Sequence, residues 1–279
     1  MAVSNLVSAA ELVAHAADPA WRVFDCRHDL RDTEAGSRAW AEGHIPGAQF
    51  LHLDKDLSGP MTGRNGRHPL PDSAVLAARL GACGIGPATR VVAYDADSGM
   101  FAARLWWLLR WLGHDNVAVL DGGLAAWKSA GLPVDGAPAA AAPAILPGQP
   151  REGLLVKVDE VERRLADTEI FLLDARSPDR YAGENETLDP VGGHIPGARN
   201  RFFMTNLADG RFKPAARLRE EFGLLLADRD PAAVVHSCGS GVTACHNVLA
   251  MEIAGLSGSR LYAGSWSEWC SDPARPVER

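Results

Sequence analysis

Short apolar, β-branched runs alternate along this chain with longer amphipathic stretches. Trp21 to Asp25, Arg90 to Tyr94 and Asn116 to Leu120 predict strands in the first half. Helices are predicted near Ser73–Leu80, Gly99–Leu112 and Leu124–Ala130. Ser8 followed by Glu11 is a capping-box signal for a further helix reaching His15. The second half repeats the scheme, with strands at Ile170–Asp174, Ala232–Ser237 and Arg260–Tyr262. Its helices fall near Asp159–Leu165, Pro214–Ala227, Gly241–Ala254 and Ser265–Cys270. Short β-branched strands that alternate with helices argue for cover on both faces. The fold class is therefore α/β, with a mostly parallel, helix-flanked sheet in each half.

The halves also repeat each other in sequence. Gly43-His44-Ile45-Pro46-Gly47-Ala48 returns as Gly193-His194-Ile195-Pro196-Gly197-Ala198. Upstream, Val23-Phe24-Asp25-Cys26-Arg27 is echoed by Leu172-Leu173-Asp174-Ala175-Arg176. Downstream, Arg90 to Asp95 matches Ala233 to Cys238, and Gly122 to Trp127 matches Gly264 to Trp269. A unit this long is a duplicated domain rather than a solenoid repeat. Between Pro133 and Pro150 the chain is rich in Pro, Ala and Gly and loses its apolar periodicity, which predicts an extended connection. The expected organisation is a domain at residues 1–135, a linker at 136–153 and a second domain at 154–279.

Composition narrows the function. Lys and Arg total 28 against 35 Asp and Glu, a formal charge of −7, which argues against a nucleic-acid partner. The most apolar segment, Trp106-Trp107-Leu108-Leu109, is flanked by Arg104 and Arg110 and reads as a core helix rather than a membrane span. Met1 to Glu11 lacks the charged-then-apolar order of a signal peptide. The five cysteines, Cys26, Cys83, Cys238, Cys245 and Cys270, are odd in number and show no metal-ligand spacing. A reducing cytoplasm is the expected setting.

The most specific chemistry lies at Ala233-Val234-Val235-His236-Ser237-Cys238-Gly239-Ser240-Gly241-Val242-Thr243. A strand runs into a glycine-bearing loop that opens on a cysteine, and a helix follows at once. Backbone N–H groups and a helix N-terminus converge there, favouring a thiolate and an anionic sulfur. A cysteine-dependent phosphatase would need an arginine at position 244 to grip the phosphoryl oxygens, and that residue is Ala244. The short loop suits a smaller cargo, such as one sulfur atom. In the first half the matching position falls at or near Asp95. A carboxylate there cannot accept sulfur and would repel an anionic donor, so the first domain is expected to be catalytically silent.

Cys238-Gly239-Ser240-Gly241-Val242-Thr243 resembles the active-site loop of the rhodanese superfamily, in the version typical of 3-mercaptopyruvate sulfurtransferases. The resemblance covers essentially the whole chain and implies the same α/β fold in two tandem copies. Thiosulfate-preferring members usually carry basic residues where Gly239 and Ser240 stand here. The resemblance implies ping-pong sulfur transfer through a persulfide on Cys238, whose terminal sulfur the N–H groups of Gly239, Gly241, Val242 and Thr243 would hold. Pyruvate would leave and a thiol, thioredoxin or cyanide would take the sulfur, with no metal or organic cofactor. Two alternatives stay open: thiosulfate as the donor, and a persulfide-carrying module that passes sulfur to a partner protein.

Residue by residue, the resemblance makes Asp54, His68 and Ser240 a relay beside the cysteine, able to protonate the departing pyruvate enolate. It makes Arg180 the arginine for the donor carboxylate. Animal mercaptopyruvate enzymes have a second arginine seven residues before the histidine of His-Ile-Pro-Gly. Here that place is Thr187, leaving Arg201 and Arg211 as candidates for the missing cation. His44 and His194 occur in both halves, as do Arg27 and Arg176. That symmetry predicts structural roles, with Arg27 paired to Asp25 and Arg176 to Asp174.

Overall fold

Two five-stranded parallel sheets, one per repeat, carry the molecule. The structure is a computed structural model that describes residues 4–139, 141–167 and 170–279. The first sheet contains β1 (Leu6–Val7), β2 (Trp21–Asp25), β3 (Gln49–Phe50), β4 (Arg90–Tyr94) and β5 (Val117–Leu120) in the order β1-β5-β4-β2-β3. Its helices are α1 (Ala9–Ala14), α2 (Ala35–Glu42), α3 (Ser73–Ala82), α4 (Ala102–Trp111) and α5 (Gly123–Ser129). Every residue of β4 and β5 is buried, as a sheet covered on both faces requires. The Ser8 hydroxyl accepts the Glu11 N–H at 3.1 Å and starts α1.

The second sheet repeats the order, with β6 (Leu155–Val156), β7 (Phe171–Asp174) and β8 (Arg199–Asn200). A short hairpin, β9 (Leu207–Ala208) and β10 (Arg211–Phe212), precedes β11 (Val234–Ser237) and β12 (Arg260–Tyr262). The sheet order is β6-β12-β11-β7-β8, all parallel. The helices here are α6 (Val158–Asp167), α7 (Pro178–Tyr181), α8 (Ala215–Leu226), α9 (Thr243–Ile253) and α10 (Ser265–Trp269). The apolar core of this half gathers Val156, Leu172, Ile195, Val235, Trp266 and Trp269. In the first half Val7, Ile45, Val92, Leu120 and Trp127 take the corresponding places.

The paired arginines sit where the repeat predicts. Arg27 Nε lies 2.8 Å from Asp25 Oδ2, and Arg176 Nη2 lies 2.7 Å from Asp174 Oδ2. Arg176 and Asp174 are almost completely buried, so losing one partner would cost about 3–5 kcal/mol. His44 Nδ1 bonds the Trp40 carbonyl at 2.7 Å, and His194 Nδ1 bonds that of Tyr181 at 2.9 Å. Each ring also stacks on the residue whose carbonyl it bonds.

The compact units differ from the linear division expected above. One comprises the described residues of Met1–Gly59, Pro71–Arg151 and Asp209–Arg211; the other holds Pro60–Leu70, Glu152–Ala208 and Phe212–Arg279. Pro60–Leu70 thus clusters with the second repeat although the chain reaches it within the first. The stretch expected to be an extended linker packs on the first unit. Ala144 N–H donates to Gly81 O at 2.8 Å, Gln149 N–H to Leu112 O at 3.1 Å, and Leu146 is buried. No helix among the described residues is long and apolar enough to cross a membrane.

Candidate active site

The loop after β11 carries Cys238, buried to 2% exposure. Its backbone is fixed on both sides: its N–H donates to Ser265 Oγ at 3.0 Å, and its carbonyl accepts the Trp266 N–H at 3.0 Å. The Gly241 N–H points at Cys238 Sγ from 3.1 Å. Gly241 has φ +77°, and a Cβ there would run into the Ala263 carbonyl oxygen. Only glycine turns the loop tightly enough to aim that N–H at sulfur. Val242 then leads into α9, whose first N–H groups have no partner within the helix.

Pro60–Leu70 brings three further groups to this loop. Gly66, at φ +83°, lies so close to Gly264 that a Cβ would meet its carbonyl oxygen at 2.8 Å. The next N–H, of Arg67, donates to Ser267 Oγ at 3.0 Å. His68 follows, buried, with Nδ1 2.7 Å from Ser240 Oγ. Two of the three relay residues suggested by sequence are therefore in hydrogen-bond contact. Asp54 belongs to the first unit, where its N–H donates to His52 Nδ1 at 3.1 Å.

Arg180 lies beside the loop and is held by a carboxylate: its Nη2 is 2.8 Å and its Nε 3.2 Å from Glu186 Oε2. Neither Arg201 nor Arg211 supplies the second cation. Arg201 Nη2 is tied to Glu221 and Asn206, each at 3.0 Å, while Arg211 belongs to the first unit and reaches the Asp121 carbonyl. The guanidinium that stands with Arg180 beside Gly239 is that of Arg67. A Cβ on Gly239 would lie 3.0 Å from Arg67 Nη2 and 3.4 and 3.6 Å from the Arg180 Nη atoms. Arg67 Nη1 pairs with Asp189 Oδ1, and Asp189 Oδ2 stands 3.6 Å from Arg180 Nη2. Burial pushes the Asp189 pKa up, with Arg67 pulling against it. Glu186 sits below the usual carboxylate value: burial opposes this, but the Leu188 N–H and Arg180 outweigh it. Sequence marked Arg67 only as the neighbour of His68.

One group among the described residues has metal-ligand spacing: His28, His52 and Asp54 offer donor atoms within 4.8 Å of one another. His52 Nδ1 accepts a backbone N–H, so its proton sits on Nε2, which faces Glu34 Oε1 at 3.4 Å. A protonated nitrogen is no metal ligand, and the donor set does not fit a cation. A cavity of about 500 Å³ in the first unit, walled by Leu12, Trp21, Ile45, Trp127 and Leu132, has no cysteine in its lining.

The rhodanese-like domain family matches at residues 8–130 and again at 157–272. The chain belongs to the rhodanese family. Its rhodanese relatives include a probable 3-mercaptopyruvate sulfurtransferase of Pseudomonas aeruginosa, 49% identical over 99% of both chains. A thiosulfate sulfurtransferase of Bos taurus is 35% identical over 90% of this chain and 85% of its own length. Among solved structures, the 3-mercaptopyruvate sulfurtransferase from Leishmania major superposes with a TM-score of 0.84 at 33% identity, covering 95% of this chain and 73% of that one. Both names are those of sulfurtransferases, so the family likeness leaves the donor to the geometry of the rhodanese loop.

Proposed function

We propose that the protein transfers sulfane sulfur from 3-mercaptopyruvate to a thiol or cyanide through a persulfide on Cys238. The observation that carries this reading is the Ser240–His68 hydrogen bond, two residues along the loop from the nucleophile. The Cys238 thiolate attacks the donor sulfur, the donor's carbon–sulfur bond breaks, and its electron pair passes to carbon as the pyruvate enolate. A proton relayed through Ser240 and His68 completes pyruvate. Asp54 is the further candidate member of that relay. The persulfide's outer sulfur rests on the N–H groups of Gly239 to Thr243, with Arg180 on the donor carboxylate. An attacking thiol, thioredoxin or cyanide then takes that sulfur and restores the thiolate.

Several companion assignments belong to this reading. The first repeat is silent, because Asp95 stands where the nucleophile would be. No metal or organic cofactor is required. Five buried cysteines that form no disulfide suit a reducing cytoplasm. Thiosulfate is the second reading, and one observation favours it: two guanidinium groups overlie Gly239, restoring positive charge to a loop that has no basic side chain.

Steady-state kinetics decide between the donors. Pyruvate release from 3-mercaptopyruvate is expected to show a higher kcat/KM than thiocyanate formation from thiosulfate plus cyanide. Equal or reversed efficiencies would transfer the assignment to thiosulfate.

A further inference from the structure

Arg67 holds an unusual position for a residue that its surroundings in sequence do not distinguish. Its Nη1 is committed to Asp189 and the Leu188 carbonyl. Its Nε and Nη2 make no hydrogen bond among the described residues, and neither does Arg180 Nη1, although both side chains are about three-quarters buried. Arg67 Nη2 and Arg180 Nη1 lie against Gly239, where a Cβ would meet them at 3.0 and 3.6 Å; Gly239 is next to the nucleophile, and consecutive Cα atoms lie only about 3.8 Å apart. Asp189 stands between the two arginines and fixes their separation, with one oxygen on Arg67 and the other 3.6 Å from Arg180. The Ser267 hydroxyl anchors the Arg67 backbone. The result is a preorganised pair of forked donors converging beside Gly239. Position 187, a threonine, is exposed and bears no charge.

We propose that Arg67 is a donor-binding, specificity-determining residue, which grips the anionic group of the sulfur donor jointly with Arg180 and supplies the cation absent at Thr187. This deepens the sulfurtransferase reading and rests on it. The cation has moved in the chain while staying at the site: it is delivered by Pro60–Leu70 instead of by the loop before His194. Gly239 follows from the same arrangement, because a side chain there would occupy the space of the two guanidinium groups.

The test compares donors that differ in charge. Mercaptoacetone carries a methyl group where 3-mercaptopyruvate has its carboxylate. Arg67→Gln should raise KM for 3-mercaptopyruvate about tenfold or more. Its kcat should stay within about threefold, and kcat/KM for mercaptoacetone should not change. Because Arg67→Gln leaves Asp189 buried without its cation, Arg67→Gln/Asp189→Asn carries the same test with no unpaired charge, and should keep the raised KM. A wild-type KM in the double variant would show that Arg67 only neutralises Asp189 and would overturn the proposal. So would an equal loss on mercaptoacetone. If the wild type proves to prefer thiosulfate, the donor assignment falls, yet Arg67→Gln should still raise KM for that dianion. An unchanged thiosulfate KM would end the Arg67 assignment as well.

Discussion

The loops that follow β4 and β11 occupy the same place in the two repeats and gather backbone N–H groups on different acceptors. After β4, the Asp95 carboxyl takes N–H groups from Gly99, Phe101 and Ala102 at 2.8–3.1 Å. After β11, Cys238 Sγ takes one, from Gly241. The first loop fills its own cradle with a side chain that is covalently part of it. The second places a single sulfur there, just ahead of α9. The comparison extends to the flanking arginines. Arg31 follows Arg27 as Arg180 follows Arg176, but Arg31 is exposed while Arg180 is drawn over the loop by Glu186. An anion-accepting turn is thus what the repeat builds in either copy. Chemistry needs a nucleophile in it and cations above it.

The contrast breaks most sharply at the nucleophile. Cys238→Ser should lower turnover by about four orders of magnitude or more, since a serine hydroxyl forms no persulfide. Intact mass after donor treatment should show one added sulfur on the wild type and none on the variant. Retained turnover, or an adduct that disappears only when Cys245 is changed, would remove Cys238 from its role.

The strands that deliver the two loops differ as well. Where β4 has Ala93, β11 has His236, fully buried, with no hydrogen-bond partner on either ring nitrogen among the described residues. Burial lowers its pKa from 6.5 to about 3. Between those values the unfolded chain carries the proton and the folded chain does not, so acidification favours unfolding. The stabilising contribution is complete above pH 6.5 and is lost progressively towards pH 3, by on the order of 4 kcal/mol. His236→Leu should flatten this acid limb in urea titrations followed across that range. An unchanged limb would place the acid sensitivity elsewhere.

A smaller effect is expected in the Asp95 loop. Burial raises the Asp95 pKa while the backbone N–H groups hold it down. Asp95→Ala would strand those donors and should cost about 2–3 kcal/mol of stability by denaturant titration. Sulfur uptake per folded molecule should match the wild type. A specific loss of uptake would show that the first loop takes part in the reaction.

Much of this was legible in the chain itself. Strands such as β4 and β11 are buried on both faces and announce themselves through a Val-Val pair at the heart of a short run. The Cys238 loop did so through glycines flanked by a strand and a helix. Other elements carried no such pattern. The helix α2 has no side-chain cap, because Glu34 at its N-terminus turns to Lys55 instead. Strands β1, β3, β6 and β8 are two residues long, too short to show alternation. The Pro/Ala stretch packs through isolated contacts, such as Leu146 and the Ala144 N–H, which leave no period to detect. Arg67 was invisible for another reason. Its role depends on where Gly66 and Ser267 place it, and nothing in its immediate sequence encodes that.

The Pro60–Leu70 segment also has a consequence for how the protein is made. His68 and Ser240 are separated by 172 positions in the chain. At about 5–20 residues per second, a ribosome needs roughly 10–35 s to travel between them. Through that interval His68 waits for Ser240, although Asp189, the partner of Arg67, is made earlier. The nascent chain therefore cannot close the His68–Ser240 contact until the loop after β11 has been made, long after His68 itself.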